Sequence, residues 1–330
     1  PFTIRLRIPE EGVVCFKDEV YGTITTKISE LDDFIITRSD GSPTYNLTVV
    51  VDDNDMNISH VIRGEDHISN TPKQILIYNA LGWDLPLFGH LPMILGSDGK
   101  RLSKRHGAVG TQTFKDMGYL PESLINYLAL LGWNPGNNDE IFDINYLINN
   151  FSIQNVNKKS AVFDMTKLDW VSSQKILAKK SSELLELIND FDSSWSSNNR
   201  NNDFLVKVVE LIKDRLKTLS DAKDHSYFFK DPTGFDENAL KKCWKEDTSG
   251  ILDQFLSKLK KLDEWNVKTI DDLIRQCVEE LSIGMGRLMQ PLRLALAGEL
   301  VGPSMPDFME ILGKEVCSKR LENILEFKQL

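Results

Sequence analysis

The stretch Val61-Ile62-Arg63-Gly64-Glu65-Asp66-His67-Ile68-Ser69-Asn70-Thr71-Pro72-Lys73-Gln74-Ile75-Leu76-Ile77-Tyr78-Asn79-Ala80-Leu81-Gly82 reads as a strand, a polar turn and a helix in direct succession. His60 to Arg63 forms the strand, which runs into the polar Gly64-Glu65-Asp66-His67. Thr71 reads as a helix N-cap, with Pro72 at the first helical position and Gln74 three residues beyond the cap, the pattern of a capping box. The helix continues to Leu81, and Gly82 ends it.

Working outward, the pattern changes on both sides. Toward the N-terminus, Ile4, Leu6 and Ile8 alternate with Arg5 and Arg7, the period of a half-buried strand. Val13 to Phe16, Tyr21 to Ile28 and Phe34 to Thr37 are further strand candidates, closed by the turn Ser39-Asp40-Gly41-Ser42. Between the two regions, Thr44 to Asp53 carries β-branched Thr48 and Val49 to Val51, so intrinsic propensity favours a strand there. Beyond the helix, Leu91 to Leu95 reads as a strand and Gly96-Ser97-Asp98-Gly99 as a turn. From Pro121 the period is helical, with Leu124, Ile125, Leu128 and Leu131 on one face and Gly132 as the stop. Ser193 to Asp203 is a Ser/Asn-rich interruption. Helix candidates follow at 205–219, 236–244, 251–262, 270–281 and 306–312. A strand-rich front, an α/β middle and an all-helical back imply distinct domains, as does the length of 330 residues.

Composition narrows the function. Apolar residues make up 41% and charged residues 27% of the chain, the balance of an ordinary globular protein. No apolar run reaches the roughly 20 residues that span a bilayer. Cys15, Cys243, Cys277 and Cys317 are far apart and lack metal-ligand spacing, which suggests reduced thiols in a cytosol-like compartment. A net charge of −10 excludes a general nucleic-acid glue, so any RNA contact must come from local basic patches. The densest patch is Arg101-Leu102-Ser103-Lys104-Arg105-His106-Gly107, preceded by Lys100. A Gly-flanked loop of this kind either bears ammonium groups against a triphosphate or is a solvated basic turn. Asp52-Asp53 is read as a solvated or capping pair rather than a metal site.

Taken together, Pro43-Thr44-Tyr45-Asn46, Val50-Val51-Asp52-Asp53, Val61 to His67, Thr71-Pro72 and Arg101 to Arg105 resemble the glutamyl-tRNA synthetase family, in order and in spacing. Phe163-Asp164, Lys167-Leu168 and Trp170 resemble its next landmark, and Met289-Gln290-Pro291-Leu292-Arg293 its C-terminal part. Ser172 departs from the family, which usually has asparagine there. The resemblance implies a class I catalytic domain, an α/β, Rossmann-like fold, here its second half, preceded by part of an α/β inserted domain and followed by all-α stem-contact and anticodon-binding domains. The implied boundaries are 1–42 for the remnant of the inserted domain, 43–115 for the catalytic part, 116–180 for the stem-contact domain and 181–330 for the anticodon region, with a break near 235. It also implies that Thr44 to Asp53 is a helix with Tyr45 near its start, against the local propensity.

The resemblance assigns roles as well. Lys104 matches the catalytic lysine that meets the ATP phosphates, and Ile94, Arg101, Ser103 and Arg105 complete the ATP-binding set. Arg63, Tyr45 and His67 are the implied glutamate-binding residues. From the residues alone, Arg63 has the alternative of a structural ion pair with Glu65 or Asp66, and Tyr45 that of a core aromatic. A γ-carboxylate calls for a planar, bidentate cation, which Arg supplies. Arg287, Arg293 and Arg320 are the candidate tRNA contacts. ATP with Mg2+ enters as substrate, with magnesium carried by phosphates and water, and no protein-bound metal is expected. The implied partners are glutamate tRNA, with glutamine tRNA left open, and L-glutamate, bound by a cytoplasmic monomer. The family's N-terminal ATP motif, rich in small residues and histidine, has no counterpart in these residues. That implies a start partway through the inserted domain and no adenylate formation by the isolated chain. The rivals are a tRNA-base-modifying paralogue, a glutaminyl enzyme, a non-catalytic tRNA-binding fragment and one half of a split synthetase. The long helical C-terminal region argues against the first two.

Overall fold

The structure is a computed structural model that describes residues 2–103, 110–196 and 201–328. It forms two compact units, the first Pro1–Thr113 with Pro121–Val171, the second Phe114–Leu120 with Ser172–Leu330.

The first unit begins with β1 (Ile4–Leu6), β2 (Val13–Asp18), β3 (Gly22–Lys27) and β4 (Phe34–Thr37). β1 pairs antiparallel with β4. β2 and β3 form a hairpin whose side chains alternate, with Val14, Phe16 and Asp18 turned inward. Helix α1 (Tyr45–Asp55) follows, then β5 (His60–Gly64), α2 (Thr71–Leu81), β6 (Leu87–Leu91) and β7 (Ile94–Leu95). The main sheet has the order β3-β2-β6-β5, with β6 parallel to both β2 and β5. α2 is the crossover between parallel β5 and β6, as such pairs require. α3 (Thr111–Asp116), α4 (Pro121–Gly132), α5 (Ile144–Asn150) and β8 (Ala161–Val162) continue the chain, and β8 pairs parallel with β7.

One expectation is corrected here. Leu91 to Leu95 is not one strand: Pro92 interrupts it, and β6 lies earlier, over Leu87-Phe88-Gly89-His90-Leu91, where Gly89 and His90 weaken the strand signal. The helix implied for Thr44 to Asp53, with Tyr45 at its start, forms against its β-branched run, because the Thr44 N–H and hydroxyl both donate to the end of β4 and Val50 is then buried against Ile77 and Tyr78 of α2. On α4, the face shared by Leu124, Ile125, Leu128 and Leu131 is exposed at Ile125 and Leu128, while Ser123, Asn126 and Tyr127 are the buried positions.

The second unit is helical. α6 (Met165–Ala178) leads into α7 (Ser181–Phe191), α8 (Asn202–Ile212), α9 (Glu237–Cys243), α10 (Thr248–Leu259), α11 (Val267–Glu280), α12 (Met285–Ala297), α13 (Met305–Leu312) and α14 (Lys314–Phe327). α8, α9 and α11 start at asparagine or aspartate N-caps whose side chains accept a backbone N–H. One continuous core joins them, with Tyr227, Phe228 and Phe308 in edge or tilted ring contacts at its centre. Cys243, Cys277 and Cys317 lie in that core, whereas Cys15 of the first unit is exposed. Pro291 sits inside α12 and is buried there. Phe114–Leu120 is anchored by Gly118, whose φ is +86° and whose carbonyl accepts the Leu219 N–H at 2.9 Å. A Cβ at Gly118 would lie 2.7 Å from the Ser220 nitrogen, so both the backbone angle and the close approach require glycine. Among the described residues no helix is long and apolar enough to cross a membrane.

Candidate active site

Arg63 stands on β5 directly beside His90 on β6. Its guanidinium is half-buried. Nε donates to His90 Nε2 at 3.2 Å, and Nη2 donates to Thr71 Oγ1 at 2.7 Å and to Gln74 Oε1 at 2.8 Å. The other end of the Gln74 amide donates to Asn46 Oδ1 on α1 at 3.2 Å, which fixes the amide's orientation. Thr71 and Gln74 therefore do not form a capping box: the N-cap is Asn70, with no side-chain cap bond, and both side chains are buried and turned to Arg63. The ion pair weighed for Arg63 is not formed either. Glu65 is taken by the Tyr21 hydroxyl and, at 3.0 Å, by the Met93 N–H. Asp66 is taken by Arg101 at 2.9 Å.

Every hydrogen-bond acceptor given to Arg63 by these contacts is thus uncharged. Burial pushes the guanidinium pKa down, and the neighbourhood of Tyr45 and Asp53 opposes that shift. Asp53 moves the other way: burial and Asp52 raise its carboxyl, and Arg63 lowers it. Asp53 and Asp18 act on this cation through space, but its direct hydrogen-bond partners are neutral dipoles, which leaves it available to an anionic ligand. The acceptors use Nε and Nη2, so the bidentate edge expected for a substrate carboxylate is occupied and Nη1 supplies the remaining donors.

Tyr45 is the first residue of α1 and is 49% exposed, so it is not a core aromatic. Its hydroxyl lies 3.1 Å from His67 Nδ1, and the two rings are 5.9 Å apart. Asn70 also reaches His67 Nδ1, at 3.3 Å. Arg63, Tyr45 and His67 thus converge on one corner, where the loop after β5 meets the starts of α1 and α2. Ile94 is in β7, and its carbonyl accepts the Leu102 N–H at 2.8 Å. Arg101 bridges back to Leu95, with its side chain 68% exposed on Asp66. Ser103 is partly buried. Lys104 and Arg105 lie outside the described residues. Asp52 and Asp53 form no cluster: among the described residues no group of three or more His, Cys, Asp or Glu is arranged to hold a metal.

Comparison with known proteins now decides the family. The model of class I tRNA synthetases (E and Q), catalytic domain, matches residues 1–170, and an anticodon-binding-domain model matches 179–325. Glutamate–tRNA ligase 1 of Caldanaerobacter subterraneus is 43% identical over 328 residues, covering 98% of this chain and 68% of the relative. The chain belongs to the glutamate–tRNA ligase family. The glutamate–tRNA ligase of Geotalea uraniireducens is 42% identical, covering 99% of this chain and 70% of its own length. A crystal structure of the Elizabethkingia meningosepticum glutamate tRNA ligase, in complex with its amino acid, superposes with a TM-score of 0.87 at 33% identity, covering 99% of this chain and 68% of that one. A class I synthetase catalytic domain followed by an all-α anticodon-binding domain is therefore the fold of this ligase-family chain.

In the helical unit of this ligase-family chain, the three candidate arginines differ. Arg287 is paired with Asp247 at the surface. Arg293 is partly buried, packs against Gly302 and near Tyr227, and its Nη1 is buried without a hydrogen-bond partner among the described residues. Arg320 is 2% exposed, and its guanidinium donates to Asp231 at 3.0 Å, the Leu296 carbonyl at 2.5 Å and the Lys230 carbonyl at 3.1 Å. That is an interior, fully engaged cation rather than one presented to RNA.

Sequence reasoning missed Asp18, Gln74 and His90. Thr71 and Gln74 carried a signal that was read as capping. The spacing that makes a capping box also puts both side chains on the helix face toward β5. His90 becomes visible only once β6 is paired in register with β5.

Proposed function

We propose that the corner formed by Arg63, Tyr45 and His67 binds the side-chain carboxylate of glutamate, and that the Arg101 to Arg105 loop meets the phosphates of ATP, in a reaction that attaches glutamate to tRNA through glutamyl-adenylate. The observation that carries this reading is the half-buried Arg63 guanidinium held only by neutral acceptors. A buried cation without a bonded carboxylate costs free energy, unless an anionic ligand supplies the missing charge. Nη1 of Arg63 and the Tyr45 hydroxyl provide the donors. Little covalent chemistry falls to the protein: glutamate's carboxylate attacks the α-phosphate of ATP, pyrophosphate leaves, and the terminal ribose of tRNA takes the glutamyl group. The side chains hold the reactants in line and stabilise charge on the phosphates.

Lys104 is assigned to the leaving pyrophosphate, with Ile94 beside adenine and Arg101, Ser103 and Arg105 supporting the loop. Mg2+ arrives on ATP. The domain division at 42, 115 and 180 belongs to the same reading, as do tRNA contacts through Arg287 and Arg293 and a monomeric cytoplasmic enzyme. The match to an anticodon-binding model and to relatives named glutamate–tRNA ligases supports glutamate tRNA as partner. Charging assays with glutamate and glutamine tRNA decide between one tRNA partner and two.

Glutamate-dependent exchange of pyrophosphate into ATP tests the assignment, with Arg63→Ala as the diagnostic variant. A folded Arg63→Ala protein with unchanged glutamate kinetics would return Arg63 to a structural role. Run on the 330-residue sequence alone, the same assay decides the expectation that its ATP site is partial.

A further inference from the structure

We infer that Asp18 and His90 are positioning residues for Arg63: a buried carboxylate and a neutral imidazole that fix the direction of the guanidinium and, through it, the affinity for glutamate. The inference rests on the reading of Arg63 given above. It starts from the single proton on Arg63 Nε. That proton is donated to His90 Nε2 at 3.2 Å, so Nε2 holds a lone pair and the ring proton is on Nδ1. Nδ1 faces Asp18 Oδ2 at 2.6 Å, where a carboxylate accepts it. Thr71 agrees with this tautomer: its oxygen accepts from Arg63 Nη2, and its own proton points to His90 Nε2 at 3.1 Å or to the His67 carbonyl at 3.2 Å.

Asp18 is itself immobile. Its Oδ1 accepts the backbone N–H groups of Val20 at 2.9 Å and Tyr21 at 2.8 Å, and its Oδ2 accepts the His90 N–H at 3.1 Å. Although burial works to raise its carboxyl pKa, hydrogen bonds from Tyr21, His90 and Val20 hold it below the usual range. Burial pushes the His90 ring down, so the ring is neutral. Both side chains are 0% exposed. The relay runs across three adjacent strands, from the end of β2 through β6 to β5, and ends on the group proposed to bind substrate. An apolar pair would fill the same space without burying a carboxylate. The acceptor for Arg63 Nε, at a defined angle, is what the polar pair adds.

The experiment compares Arg63→Ala, His90→Leu, His90→Gln and Asp18→Asn in a form of the enzyme that performs glutamate-dependent pyrophosphate exchange, with thermal melting to establish folding. His90→Leu removes the acceptor, and the glutamate KM should rise about tenfold while the ATP KM stays within about twofold. His90→Gln returns an oxygen near the Nε2 position and should recover part of the loss. Asp18→Asn presents an N–H to Nδ1 and drives the ring proton to Nε2, against Arg63 Nε–H. Its glutamate KM should therefore also rise. A purely structural pair would lower the melting temperature and leave the two KM values unmoved or moved together. That result, in folded His90→Leu or in folded His90→Gln and Asp18→Asn together, overturns the inference. If Arg63→Ala leaves the glutamate KM unchanged, the reading of Arg63 itself fails. If only the His90 and Asp18 variants are silent, that reading stands and the relay does not.

Discussion

Arg63 shows how a residue's environment sets its use. Its hydrogen bonds run to two neutral oxygens and one ring nitrogen, none of which carries a compensating charge. Arg63→Ala should lower kcat/KM for glutamate by roughly 10- to 100-fold, the scale of a charge-assisted hydrogen bond worth about 1.5–3 kcal/mol, while the ATP KM changes little. Steady-state exchange kinetics check it. Lys104→Ala should act differently, lowering kcat for adenylate formation more than the ATP KM and sparing transfer from preformed adenylate, because pyrophosphate has already left. Single-turnover measurements of the two steps separate these effects, and equal loss in both would remove the role given to Lys104. Ser172 illustrates a departure with a stability consequence. It is fully buried, and its hydroxyl has no hydrogen-bond partner among the described residues. Ser172→Ala should leave the melting temperature unchanged or raise it, since no bond is lost and a buried polar atom is removed. At this scale the motifs singled out Arg63 and Tyr45 as candidates, and the structure brings both to the corner at the start of α2. Asp18 and His90 were not legible, because burial of a polar side chain depends on which strands become neighbours.

At the scale of the element, the clearest conflict is between propensity and context. Thr48 and Val49 to Val51 favour a strand, yet α1 forms because β4 captures Thr44 and the helix then buries Val50 against α2. The strands β1 to β5 and the helix α2 were readable from alternation and from the proline and glycine that bracket α2. β6 was not, since Gly89 and His90 are poor strand residues whose places are set by the neighbouring strands and by the relay. The turn at Gly118 gives a direct test of local geometry. Gly118→Ala must hold a left-handed backbone angle and displace the Ser220 nitrogen, so it should destabilise the helical unit by about 2 kcal/mol or more. Chemical denaturation followed by circular dichroism measures it, and a change near zero would show that the 118–220 contact relaxes freely.

Across the whole molecule, acid sensitivity follows from its buried imidazoles. Burial lowers the pKa of both His90 and His225 from 6.5. His225 has its Nδ1 2.7 Å from the Tyr227 hydroxyl, with Asp214, Asp221 and Asp224 favouring its charge and Arg215 opposing it. A depressed histidine pKa means that the unfolded chain takes the proton first as pH falls. Stability is therefore complete above about 6.5 and declines as pH drops from there through the folded-state pKa values. Asp18 and Asp231, both held below 3.8, add a second loss at lower pH. Melting temperatures between pH 8 and pH 5 should be level at first and then fall, and His225→Gln should flatten that early decline. A profile that rises with acidity over this range would contradict the sign. The three cysteines in the helical core turn the same unit into its own clock. Cys317 has its pKa pushed up to about 12 by burial, and burial also raises Cys243 and Cys277, so a thiol reagent at neutral pH reaches them only when that core opens. One sulfur, Cys15, is labelled at once. Mass spectra taken over time should then show a fast single adduct followed by a slow jump of three, and the interval between them reads out how often the helical core exposes its interior.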